Sequence, residues 1–346
     1  MTTGRAGRRW AGAAAFALLV TGGCSTEQPE PEEPGAAADG TGGGTTPPDE
    51  EPADEPGEEP TGSPPSAPET PEETADEPLS ADDVDRTVAV RAVRHLAGRI
   101  GPREATGEAY ARAARWVSAE LSRLGYEVER QRVDVPAGES WGVAVPAGRS
   151  VNVVATPPGF DPTEPHLVVG AHLDTVPQAP GAEDNASGVG AMLSVAEAAS
   201  QRTTRLPTVY VAFGAEEPRG APEDHHYGSR RYVAAMQPAE RRAVRAMVSL
   251  DRVGVGDRVP VGSAYDTDPV QQTLLAAARR AGAATVAEGG QRSSDHWSFV
   301  RAGLPGARLG STPYAGYHSA GDVLAVVSAA QLERVGRIVA AWLAPR

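Results

Sequence analysis

The sequence predicts an α/β domain, a largely parallel sheet with helices on both faces. Three observations carry this reading. From residue 126 onward, short apolar and β-branched runs alternate with helical patterns. Acidic and imidazole residues collect just after those runs, where open α/β sheets place their binding crevice. Residues 81–346 are long enough to bury the core of one large domain.

The elements follow in order. Ser80-x-x-Asp83 has the form of a capping box and opens a helix to about Ala97. A second helix runs from Thr106 to Leu124 and stops at Gly125. Tyr126–Val135 alternates as a strand. The runs SVNVVAT (150–156) and HLVVGAHL (166–173) are strands, followed by a helix from Ser187 to Ser200. TVYVAF (208–213), a helix at Gly228–Met236 and AMVSLDRVG (246–254) come next. Helices at Pro269–Ala281 and Asp295–Arg301, a short strand at Gly306–Leu309 and a helix at Ser328–Ala344 complete the domain. No internal repeat is visible.

Two segments precede it. Residues 1–23 read as an export signal of the lipoprotein type. Arg5, Arg8 and Arg9 lead into WAGAAAFALLV (10–20), too short for a permanent membrane span, and then Thr21-Gly-Gly-Cys24. Cys24 sits where such signals are cut and the cysteine lipidated; the bland alternative is an ordinary secretory signal. Residues 24–79 read as a disordered tether, with 17 acidic residues between Ser25 and Pro78 and no basic or aromatic ones. Proline and charge repulsion keep such a segment extended.

The tether accounts for the net charge of −14, because residues 81–346 carry 29 acidic and 29 basic side chains. The domain therefore shows no basic excess for nucleic acid. Cys24 is the single cysteine, so no intrachain disulfide can form.

The functional signal lies at the run ends. HLVVGAHL ends in His172-Leu-Asp174, and Asp184 follows at the start of a helix. TVYVAF leads to Glu216-Glu217, AMVSL to Asp251, and the strand at 306–309 to Tyr317-His318. His172, Asp184, Glu217, Asp251 and His318 make an N/O ligand set suited to zinc or a similar divalent ion. Two metals bridged by one carboxylate need about this many ligands, and cations relieve the cost of burying carboxylates together. Residues two apart in an extended segment share a side, so Asp174 can orient the His172 ring. Residues one apart face opposite ways. One of Glu216 and Glu217 can thus bind metal while the other takes a proton from water. Each piece alone is common; the ordered set is not.

The motifs AHLD (171–174), GAEDNASGVGAM (181–192), FGAEE (213–217), SLDRVG (249–254), SSDHWSF (293–299) and YHSAGD (317–322) resemble the M28 family of dinuclear zinc aminopeptidases. The resemblance covers about 81–346. It implies a three-layer αβα sandwich of the zinc exopeptidase kind, around a mixed, mainly parallel eight-stranded sheet. It implies two zinc ions per chain, one held by His172, Asp184 and Asp251 and the other by Asp184, Glu217 and His318. Glu216 would be the general base, Asp174 the support of His172, and Tyr317 the donor to the oxyanion. A cis peptide is implied at Asp184-Asn185.

The chain departs from the family in Pro218–Tyr227, which replaces a short turn and brings His225 and His226 near the cleft in sequence. Arg292 stands one residue off the family's substrate-holding position. His296 is expected to pack or hydrogen-bond locally, His95 and His166 to be structural or exposed, and Trp297 to be core.

The expectation is an exported, lipid-anchored aminopeptidase at the outer face of the cell membrane, acting on peptides, with a monomer favoured. Alternatives are a glutaminyl cyclase or a carboxypeptidase-type member of the fold, and an inactive peptide-binding lipoprotein. A serine hydrolase centred on Ser319 fits poorly, because Tyr317 stands where a nucleophile elbow needs glycine.

Overall fold

The computed structural model describes residues 77–221 and 225–345, which lie within one compact unit. The export signal and nearly all of the tether lie outside the described residues. Glu77–Leu79 do not. Pro78 pairs with Thr203 and Leu79 is buried, so the folded part begins before Ser80.

Ser80 caps a single 3-10 turn over Ala81–Asp83 rather than opening a long helix. Asp85 then caps α1 (Arg86–Val93), which widens into a π turn over Arg94–Ile100. Helix α2 (Glu108–Arg123) leads to strand β1 (Glu127–Val135). A small hairpin absent from the sequence reading follows, β2 (Gly138–Ser140) and β3 (Val143–Val145). Its two-residue turn, Trp141-Gly142, has positive φ at both positions, as a type I′ turn requires. Then come β4 (Gly148–Thr156), β5 (His166–His172), α3 (Gly188–Ala199), β6 (Thr208–Phe213), α4 (Tyr227–Ala235), α5 (Pro238–Ala243) and β7 (Val244–Leu250). The last part holds β8 (Val259–Gly262), α6 (Pro269–Arg280), β9 (Thr285–Glu288), α7 (His296–Arg301), β10 (Gly306–Leu309) and α8 (Ala329–Leu343).

Eight strands form one mixed sheet in the order β1-β4-β6-β5-β7-β10-β8-β9. Its centre, β6-β5-β7-β10, is parallel. Strands β5 and β6 are buried along their whole length because both sheet faces are covered, which is why they read as continuous apolar runs. Leu167, Val169 and Ala171 face α1, α2, α3, α6 and α8 in the larger core. Val168, Val209 and Val211 face α4 and α7 on the other side, against Tyr232, Val233 and Phe299. The result is the expected three-layer αβα sandwich.

Strands β8 and β9 were not anticipated. Neither alternates in burial, since β8 is buried throughout and β9 is half-exposed. Everything between Asp251 and His318 joins the main sheet or packs on it, so no lid domain interrupts the ligand set. Among the described residues, no helix is long and apolar enough to cross a membrane.

Candidate metal centre

The parallel strands end together, and their ends carry the site. His172 is the last residue of β5, and the Leu173 N–H donates to the carbonyl of Phe213 at the end of β6. Ala215 takes a left-handed φ of 55°, turning the chain into Glu216-Glu217. Asp251 directly follows β7, and His318 lies in the loop after β10 with φ 53°. Asp184 sits in the turn ahead of α3, and its peptide bond to Asn185 is cis, as the resemblance implies. The six non-glycine residues with positive φ among those described are Trp141, Ala215, His226, Arg252, Ser311 and His318, and all lie around this centre. Such conformations cluster where side chains must be aimed.

The five expected ligands converge. His172 Nε2 lies 3.0 Å from Asp184 Oδ1 and 3.7 Å from Asp251 Oδ1. His318 Nε2 lies 3.0 Å from Asp184 Oδ2 and 3.3 Å from Glu217 Oε2. Two triplets therefore share Asp184, one on each carboxylate oxygen: His172–Asp184–Asp251 and Asp184–Glu217–His318. All five side chains are buried or nearly so.

The donor set fits divalent cations. Four carboxylates and two imidazoles crowd one buried volume, with Arg252 the nearest permanent cation, its Nε 3.5 Å from Asp251 Oδ1. Burial and the repulsion of Asp251, Asp174 and Asp184 push Glu216 up to about 8. Burial and the charges of Asp184 and Glu216 push Glu217 well above its usual range. Burial acts the same way on Asp184, but contact with His172 and His318 overrides it and holds that carboxyl well below its usual range. Glu217 Oε1 and Asp251 Oδ1 are buried without a hydrogen bond. A cation between such groups removes both the repulsion and the unmet demand.

The supporting contacts are specific. Asp174 was expected to orient His172. Its main-chain oxygen lies 3.2 Å from His172 Nδ1, while its nearer carboxylate oxygen is 3.7 Å away. That carboxylate is engaged elsewhere, accepting the N–H of Glu216 at 3.0 Å and of Glu217 at 3.1 Å. Asp322 accepts the N–H of Glu183 and of Asp184, at 2.7 and 3.0 Å. Asn185 donates to the Leu250 carbonyl and accepts the Arg252 N–H, tying the bridging turn to the end of β7. Arg103, fully buried, donates to the carbonyls of Leu173, Pro180 and Gly181 and of Leu96 and Gly101, all within 2.8–3.0 Å. It thereby fastens both ends of the connection between His172 and Asp184 to the turn after α1.

Over the cluster lies a narrow cleft of about 90 Å³, edged by Trp141, Pro218, His225, Arg252, Ser293 and Tyr317. Tyr317 stacks on His318 at 3.7 Å, and the Arg252 guanidinium sits 4.4 Å above its ring. Trp141 stands edge-on to His318 at 4.3 Å.

Several of these residues were missed or left open by sequence reasoning. Trp141 lies far from every motif, on the unanticipated hairpin. His226 is buried with Nε2 2.9 Å from Glu216 Oε1, and its ring stacks on His225 at 3.7 Å. The unusual Pro218–Tyr227 connection was the signal for it. Arg219 in that connection is also buried, paired with Glu104 and donating to the carbonyls of Pro136 and Pro146. Arg292 is drawn away from the cleft, lying over Trp297 and Tyr265. His296 bonds the Gln291 carbonyl, His95 stacks on Trp116, and His166 is buried against Phe160.

This fold with paired triplets on one carboxylate defines a metallohydrolase framework, and the comparisons give the family. The model of Peptidase family M28 matches residues 152–343, so the chain belongs to that family. It is 36% identical over 156 residues to leupeptin-inactivating enzyme 1 of Streptomyces exfoliatus, covering 44% of this chain and 34% of that one. It is 29% identical over 163 residues to the probable lipoprotein aminopeptidase LpqL of Mycobacterium tuberculosis, covering 41% and 31%. In both cases it spans about a third of the relative's own length. Among solved structures, it resembles BSAP, a zinc aminopeptidase from Bacillus subtilis, with TM-score 0.67 and 18% identity over 75% of this chain and 94% of that one. A glutaminyl cyclase of Bacteroides thetaiotaomicron shares the fold at TM-score 0.64 and 19% identity, over 75% and 97%.

Proposed function

We propose that the protein is a zinc-dependent aminopeptidase holding two metal ions. The observation that carries this is Asp184 meeting His172 through one oxygen and His318 through the other, each at 3.0 Å, with Asp251 and Glu217 completing the two triplets. Glu216 belongs to neither triplet. Zinc bound there would supply a Lewis acid for the scissile carbonyl and raise the acidity of water. Glu216 accepts the proton from the attacking water and returns it to the leaving amine. Asp174 fixes the main chain of Glu216 and Glu217, so the base and the ligand keep opposite orientations. Tyr317, held between His318 and Arg252, donates a hydrogen bond to the oxygen that becomes negative.

The complete set of five ligands favours this over the cyclase reading, in which His172 and Asp251 would have no metal to serve. The absence of a lid between Asp251 and His318 argues against a carboxypeptidase built with one. Export and lipidation at Cys24 rest on the sequence of residues 1–24, and the mycobacterial relative described as a probable lipoprotein supports them. The chemistry is tested with aminoacyl and N-blocked chromogenic substrates, alongside metal analysis. Cleavage of free-amine substrates with about two zinc per chain is expected. Cleavage of only N-blocked substrates, or full activity in metal-free protein, overturns the reading.

A further inference from the structure

We propose that Glu216, His226 and His225 form a third metal site, for a divalent ion of zinc's class, and that filling it switches hydrolysis off. This rests on the role proposed for Glu216. One ligand atom from each of the three residues lies within 4.8 Å of the other two. Zinc with two imidazoles and a carboxylate brings its donor atoms to about 3.3 Å of one another, from bond lengths near 2 Å. The His225 and His226 rings stack at 3.7 Å, so the half-buried His225, at the cleft mouth, has to turn its in-plane lone pair toward the ion to close the site.

His226 is already in place. Its Nε2 lies 2.9 Å from Glu216 Oε1 but makes no well-aligned hydrogen bond, leaving a buried nitrogen aimed at a carboxylate. Its position is doubly fixed. The His226 N–H donates to the Glu216 carbonyl at 2.9 Å, and the Tyr227 N–H to that of Ala215 at 2.8 Å.

None of the site's members belongs to either triplet, although Glu216 also offers an oxygen within 4.8 Å of ligand atoms of His172 and Glu217. Its link to them is Glu216. An ion held by Glu216 Oε1, His226 and His225 withdraws charge from the carboxylate and lowers its basicity, so it no longer takes the proton from water. Occupation and turnover therefore exclude each other, and the cleft mouth gives the ion a way in. The physiological consequence is an enzyme active at scarce zinc and silenced at excess.

The test uses the full chain loaded with two equivalents of zinc. Further zinc is titrated while heat of binding, bound metal and hydrolysis are followed. A third, weaker binding event is expected, with turnover falling in step. His225→Ala and His226→Asn should each raise the inhibitory zinc concentration more than about tenfold, read against each variant's own activity at two equivalents. Even loss of an outer partner of a metal ligand costs about 10- to 100-fold in affinity. No third event, or a third event and inhibition equally strong in both variants, overturns the proposal. If no loading gives hydrolysis, the aminopeptidase reading fails instead, and the calorimetric event in wild type and variants still decides this site.

Discussion

Asp174 Oδ1 accepts the main-chain N–H of Glu216 at 3.0 Å, joining the loop after β5 to the proposed base after β6. Its other oxygen does the same for Glu217. Asp174→Asn places an amide N–H₂ against one of these donors and frees the pair to shift. We expect kcat to fall about 10- to 100-fold with both metals kept, as for other partners of metal ligands. Unchanged kcat in a metal-replete variant would reduce Asp174 to a packing residue.

Glu216→Gln keeps the shape of the side chain and removes its basicity. Turnover should drop by about 10²- to 10⁴-fold, the usual share of a general base, while zinc per chain stays the same. Metal loss with normal residual turnover would exchange the roles given to Glu216 and Glu217.

Asp184 and His318 should differ in what they cost. Asp184→Ala removes the shared carboxylate, so both tightly held ions should leave. His318→Ala disturbs one triplet, and one ion should stay. Elemental analysis after dialysis reads the difference. Two ions retained without Asp184 would remove it as the bridge.

Arg103 is a stability residue with consequences for the site. Its buried guanidinium serves five carbonyls, and substitution leaves several of them unpaired. Hydrogen bonds to charged groups contribute about 1.5–3 kcal/mol each, so Arg103→Met should destabilise by at least about 3 kcal/mol in urea unfolding. A loss below about 1 kcal/mol would show that the loops hold without it.

His296 gives a pH dependence that can be isolated. Burial and the charge of Arg308 push its imidazole down to about 3, against about 6.5 when unfolded. Between those values the unfolded chain binds a proton that the folded one does not. Stability from this group is therefore complete above pH 6.5 and falls as the solution is acidified, by about 1.4 kcal/mol per unit. His296→Gln lacks that titration, so from pH 6.5 to 5.5 it should lose about 1 kcal/mol less than the wild type, the unfolded group being already half protonated at the start. Parallel losses in denaturant midpoints would show that His296 titrates normally.

Much of the framework was legible because it is written in local patterns. The central strands announce themselves by continuous apolar runs, since both of their faces are covered. The ligands announce themselves by collecting at the ends of those runs or in the connections just beyond them, so His172, Asp184, Glu217, Asp251 and His318 could be named before their convergence was seen. Residues acting across the chain were not legible in this way. Trp141 reaches His318 from a hairpin 177 positions earlier, whose three-residue strands carry no period. Asp174 offered two plausible partners, and only geometry shows that its carboxylate goes to the Glu216 and Glu217 amides. The Pro218–Tyr227 connection was recognisably unusual, but nothing local said that His226 would turn inward through a left-handed backbone.

The pairing of Pro78 with Thr203 has a practical side. Thr203 precedes β6 at the pole of the sheet opposite the cleft, and the neighbouring Arg205 N–H donates to the carbonyl of Leu343 at the end of α8. The folded domain thus gathers its entry and its exit at one pole. A reporter fused at either side, or a bead coupled there, leaves the cleft facing open solution. The same neighbourhood makes the domain a candidate for circular permutation, with new ends cut elsewhere and the old ones joined by a short linker.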